Sequence, residues 1–239
     1  AFGVGYFFTF VYMPFAPTMD DATRKRVMPE MLPPGLYLAR WAAMWAWITG
    51  VVLMMLVFYH GGLMFDAGTD DGWDLVSILM LAVVYVVGFA IYEGLARSPL
   101  ANNQIGFAAV GFILIAVTAY LMKEVAGFSY RAYVIHTGAM LGTIMVANVW
   151  MNIWPVQRKV IAAVKAGTPP DMAAFGKAMI RAKHNIYISV PLLYTMANLH
   201  TSVTSAANSL VYLLGAILIG WVAVWYLYRL SARLRASNA

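Results

Sequence analysis

Seven apolar stretches, each at or near the length needed to cross a bilayer, divide this sequence almost from end to end. They run about 1–17, 36–59, 73–95, 104–122, 130–154, 185–204 and 208–229. A helix needs about 20 residues to span the hydrocarbon core. Long runs of Val, Leu, Met, Phe and Trp without strict alternation fit helices and not the dyad pattern of barrel strands. Of 239 residues, 62% are apolar and 11% charged, against about 25% charged in a soluble chain. A soluble core cannot hide that much apolar surface. The expected fold is an all-α integral membrane protein, one polytopic domain over residues 1–239, built as a bundle of about seven transmembrane helices. The chain opens inside an apolar run, without Met or a basic leader. The first span is therefore expected to be truncated, starting before Ala1, and is not a signal peptide.

Threading the spans sorts the charges. Fourteen basic side chains, among them Arg24, Lys25, Arg26, Arg40, Arg158, Lys159 and Arg229, fall on one side. The other side receives Lys123 and Arg131, with Asp66, Asp70, Asp71, Asp74 and Glu124. The positive-inside rule makes the first side, with the C-terminus, cytoplasmic. In a Gram-negative cell the other side would face the periplasm, and lipid is the expected surrounding partner. The net charge of +6 follows this topology and does not point to nucleic acid. Two stretches lie outside the spans. Residues 18–35 predict a short interfacial helix broken by Pro33-Pro34. Residues 156–183 predict the longest cytoplasmic connection, a solvated basic hairpin turning at Gly167, Pro169 and Pro170.

The absence of cysteine excludes disulfides, thiolate metal sites and covalent c-type haem within these residues. Histidine carries the candidate chemistry. His60, His136, His184 and His200 all lie at or in spans, where ionisable side chains are costly and mark functional sites. The topology puts His60, His136 and His200 in the outer part of the membrane and His184 at the cytoplasmic start of the sixth span. With a rise of 1.5 Å per residue, His136 and His200 share a depth of roughly 6–10 Å below the outer boundary. Two imidazoles on facing helices suit the two axial positions of a b-type haem, or a copper or zinc ion. The bulky, Met-rich surroundings favour haem. The plainer alternative has each histidine bonded to a carbonyl or hydroxyl of a neighbouring helix. His136 and His200 are the expected ligands of haem iron or copper, with His60 next; His184 is expected to cap or anchor its helix. Gly138 and Gly142 form a small-xxx-small pair, giving close packing or room for a cofactor. Asn148, Asn152 and Gln157 predict interhelical amide bonds. Glu93 is expected to pair with Arg97 four residues on.

Several motifs resemble a known family. They are YVIHTGAMLGTIMVANVWMNIWPVQRKV (133–160), AGTPP (166–170) and RAKHNIYISVPLLYTMANLH (181–200), supported by YEGLARSPL (92–100), ARWAAMWAWITG (39–50) and GVGYFFTFVYMPF (3–15). Together they resemble the urate oxidase N-terminal domain family, the membrane domains of bacterial cytochrome-linked urate hydroxylases. The resemblance implies membrane-bound redox chemistry: the best-known members oxidise urate to 5-hydroxyisourate and pass electrons to a fused cytochrome c domain. His136, Asn148, His184, Asn185, Asn198 and His200 match the family's polar motif positions. The family's first span also carries a histidine upstream of the GVGYFF region, which here would precede Ala1. No CxxCH occurs in the sequence, so electron exchange is expected with a separate c-type cytochrome or a larger respiratory or photosynthetic complex. The expected function is integral-membrane electron transfer, with a urate hydroxylase-like oxidoreductase as its enzymatic form. The alternative is a non-catalytic accessory subunit of such a complex. A transporter, which would need acidic residues at mid-membrane, ranks third.

Overall fold

The computed structural model describes residues 2–68, 70–198 and 208–237. Among them there is no strand. The helical runs are α1 (2–18), α2 (Asp21–His60), α3 (Leu75–Arg97), α4 (Gln104–Val125), α5 (Tyr130–Lys165), α6 (Met172–Ala197) and α7 (Ser209–Ser237), with a short 3-10 turn at Pro99–Asn102. By length and composition, five of the described helices can cross a membrane: α2, α3, α4, α5 and the Ser209–Leu234 part of α7. Their outer faces carry Leu75, Ile105 and Ile219, exposed by 71%, 84% and 73%. Water would oppose such a surface; lipid would not.

The helices overrun the apolar stretches. α2 extends over 40 residues, about 60 Å at 1.5 Å per residue and twice the hydrocarbon thickness. The expected break at Pro33-Pro34 does not occur: Pro29, Pro33 and Pro34 all lie inside one continuous helix. Proline removes an N–H and crowds the carbonyl four residues back, which is why the sequence suggests a stop. Tertiary packing overrides it. Leu32 is buried with Tyr12 of α1 and Ile161 of α5, and Phe8, Met28, Met31 and Leu36 close around them. At Gly35 an added Cβ would stand 2.5 Å from the Phe8 ring, so only glycine permits this approach.

The basic hairpin forms as expected. α5 stops where Gly167 takes φ +70° and Thr168 N donates to Ala163 O at 2.9 Å, a closure that satisfies end carbonyls. Asp171 then caps α6 by accepting from Ala174 N at 2.9 Å. Elsewhere Asp20 caps α2, its carboxylate accepting from Thr23 N at 2.9 Å and from the Thr23 hydroxyl at 2.6 Å. These bonds, the hydroxyl's first, hold the Asp20 carboxyl below its ordinary pKa.

The chain divides into two units, one of residues 1–47, 145–190 and 219–239, the other of residues 48–144 and 191–218. The first carries 13 basic and 4 acidic side chains, the second 3 and 6. Among the described residues five segments wind as π-helix: Phe8–Tyr12, Met55–His60, Val83–Val87, Leu121–Val125 and Asn148–Ile153. Such turns re-aim side chains and are frequent at functional sites.

Candidate functional site

In the second unit, the N-terminus of α5 is tied down by Ser129, whose N–H donates to Met64 O at 2.8 Å and whose hydroxyl donates to Leu63 O at 2.9 Å. Two turns on comes His136, with 0% of its surface exposed. Phe128, Tyr59 and Phe58 surround the imidazole, with centroids at 5.4, 5.6 and 6.0 Å. Trp73 packs in turn against Tyr59 and Phe65.

The hydrogen bonds fix the ring's tautomer. His136 Nδ1 lies 2.6 Å from Ala132 O; a carbonyl only accepts, so Nδ1 carries the proton. In the neutral ring Nε2 is then an acceptor, and the Tyr59 hydroxyl, 3.0 Å away, donates to it. That hydroxyl has spent its proton, so at 3.0 Å it accepts from Tyr85. The result is a directed chain, Tyr85 to Tyr59 to His136 to the α5 backbone. Both phenols sit on π-helical segments.

The sequence singled out His60, but its neighbour Tyr59 reaches His136. Successive helical residues point about 100° apart, and His60 is exposed at the end of its helix. His200 lies outside the described residues. Asn198 donates to the Tyr130 hydroxyl. The Gly138–Gly142 face offers no room for a cofactor: a Cβ at Gly138 would meet Thr195 Oγ1 at 2.1 Å, and one at Gly142 would meet Leu192 at 3.8 Å. The pair serves close helix packing. Glu93 pairs with Arg97 at 2.7 Å, as the i, i+4 spacing predicts.

The first unit holds the predicted amides. Buried Asn148 donates to Asn185 Oδ1 at 2.9 Å and accepts from Asn152 at 3.3 Å, while Asn185 donates to Met145 O at 3.0 Å. This network joins α5 to α6. His184 is half-buried twelve residues inside α6 rather than at its start, so it is not the helix's N-cap; the helix begins earlier because Asp171 supplies that cap.

A haem or metal ligand needs a free imidazole lone pair. His136 has the posture of a ligating histidine, with one ring N–H held by a carbonyl and the other nitrogen directed away. Here that nitrogen is engaged by Tyr59 at 3.0 Å, so His136 would hold a metal or haem iron only with that hydroxyl displaced. Among the described residues no group of three or more His, Cys, Asp or Glu could hold an ion.

Among the described residues, all-helical architecture, five helices long and apolar enough to cross a membrane, and a buried hydroxyl–imidazole chain define the class as a helical protein compatible with a multi-pass membrane fold. The chain belongs to the urate oxidase N-terminal family, whose model matches residues 19–238. Comparison with curated proteins and with solved structures found no match.

Proposed function

We propose that the chain is a seven-span redox protein of a bacterial inner membrane, similar to the membrane domain of urate hydroxylases. Its basic loops are cytoplasmic. On the outer side it holds b-type haem, with copper as the alternative, and exchanges electrons with a c-type cytochrome or a larger respiratory complex. The observation that carries this reading is the His136 imidazole, fully buried, with Nδ1–H pinned to Ala132 O and Nε2 directed away from its own helix. His136 would hold the iron through one ring nitrogen, with His200 as its partner ligand. A bound haem supplies one-electron chemistry. The chain's own contribution is to fix the ring orientation through Ala132, to exclude water with Phe58 and Phe128, and to cover Nε2 with Tyr59 when no ligand is present. Urate oxidation is the enzymatic form of this function.

The closed Tyr59–His136 bond favours a second reading, a non-catalytic accessory subunit in which the triad only joins helices. A dithionite-reduced minus oxidised spectrum separates the two. The redox reading expects a b-type α-band in the wild type, lost in His136→Ala and kept in Tyr59→Phe, which frees Nε2. A flat spectrum with no bound metal leaves the accessory subunit. Urate consumption with added oxidised cytochrome c tests the enzymatic form; no turnover removes it.

A further inference from the structure

Within the first unit, α2 and α5 enclose an arginine. The Arg40 guanidinium lies 4.0 Å from the Trp154 ring centre and 5.0 Å from that of Trp150. The Tyr37 and Trp41 ring centres lie 5.8 and 5.9 Å from it. Tyr37, Arg40 and Trp41 share one face of α2 at helical spacing; Trp150, Trp154 and Gln157 share one face of α5. Aromatic rings engage the flat face of a guanidinium and leave its in-plane N–H groups needing acceptors. Among the described residues Arg40 Nε and Trp150 Nε1 are buried donors without an acceptor, and Gln157 Oε1 is a buried acceptor without a donor. Buried groups left unpaired are costly and call for a partner. Among the described residues no carboxylate pairs with Arg40. On its own helix the nearest acid is Glu30, exposed and about 15 Å back along the axis. Arg158 and Lys159, both exposed, follow Gln157 and add positive charge.

We propose that this aromatic box is a binding site for the phosphate of an anionic lipid headgroup that also carries a hydroxyl. The phosphate oxygens accept from Arg40 and Trp150, in the charge-assisted geometry that arginine favours with phosphate. The headgroup hydroxyl donates to Gln157. Lipid is the source because Arg40 opens the apolar part of a helix long enough to cross a membrane, where Trp, Tyr and basic side chains meet headgroups. Inorganic phosphate offers the same anionic oxygens and is the competing source. The proposal needs no haem, so it stands apart from the redox reading.

The test is native mass spectrometry of the full chain released from neutral detergent, with phosphatidylglycerol, phosphatidylcholine or inorganic phosphate added. The wild type is expected to retain one phosphatidylglycerol in preference to phosphatidylcholine. Arg40→Gln is expected to weaken retention about tenfold, and Trp150→Phe, which keeps an aromatic ring and loses the N–H, about fivefold. Trp150→Phe carries the test if Arg40→Gln does not fold. Retention of inorganic phosphate in place of the lipid overturns the lipid assignment. Equal lipid retention by the wild type and the variants, or none by the wild type, overturns the site.

Discussion

Replacing Tyr59 with Phe removes one oxygen and keeps the ring, so its effect reads the polar chain almost alone. The hydroxyl makes two bonds of 3.0 Å, donating to His136 and accepting from Tyr85. A typical bond contributes about 1 kcal/mol net, and a buried acceptor left without a donor costs about 1–3 kcal/mol. His136 is fully buried and its Nε2 would be left bare, and the Tyr85 hydroxyl, half-buried within a membrane-length helix, would lose its acceptor. The expected destabilisation is therefore about 2–3 kcal/mol. The assay is unfolding in mixed micelles of neutral detergent and dodecyl sulfate, followed by tryptophan fluorescence. Tyr85→Phe supplies the control: Tyr85 acts only by donating to Tyr59, so its change costs about 1 kcal/mol alone and almost nothing on top of Tyr59→Phe. A Tyr59→Phe protein within about 0.5 kcal/mol of wild type, or strict additivity with Tyr85→Phe, would refute the directed chain.

Three further outcomes follow from the geometry. Gly138→Ala places a methyl 2.1 Å from Thr195 Oγ1, and overpacking of about 1–3 kcal/mol is expected. The loss should shrink in a Thr195→Ala background, read by the same unfolding assay. Asn185→Leu removes the acceptor of buried Asn148 and the donor to Met145 O; about 2–3 kcal/mol should be lost, with Asn148→Leu recovering part of it in the double variant. Asp20 has a folded pKa below its ordinary value of 3.8, chiefly through Thr23. Its stabilisation is complete above that ordinary value and is lost as pH falls through the folded one. Asp20→Ala should lower the thermal midpoint at neutral pH, and the gap from wild type should narrow in strong acid.

The helices were legible because run length and apolarity govern them directly. Their ends were less so, since polar overruns such as 154–165 and 172–184 look like loop by hydropathy yet continue as helix. The Pro33-Pro34 break was misread because the contacts that override it, Tyr12 and Ile161, are distant in sequence. His136 stood out as an ionisable residue inside an apolar run. Its partner did not: Tyr59 is 77 positions away, and a phenol reads as one more aromatic in a Trp- and Phe-rich span. Local helical phase could have helped, because His60 and Tyr59 cannot both face His136. Arg40 was counted among loop charges, although its place between Tyr37, Trp41 and two tryptophans of α5 gives it an aromatic enclosure.

The prolines inside α2 have a consequence in time. Leu32, between Pro29 and Pro33-Pro34, rests on Tyr12 and on Ile161, and Ile161 is translated 129 positions after it. At about 5–20 residues per second, one side of that contact is missing for roughly 6–26 seconds. Through that interval the segment carries its missing N–H groups with half of its support. The contacts that hold this proline-bearing helix in its continuous form are therefore complete only when α5 arrives.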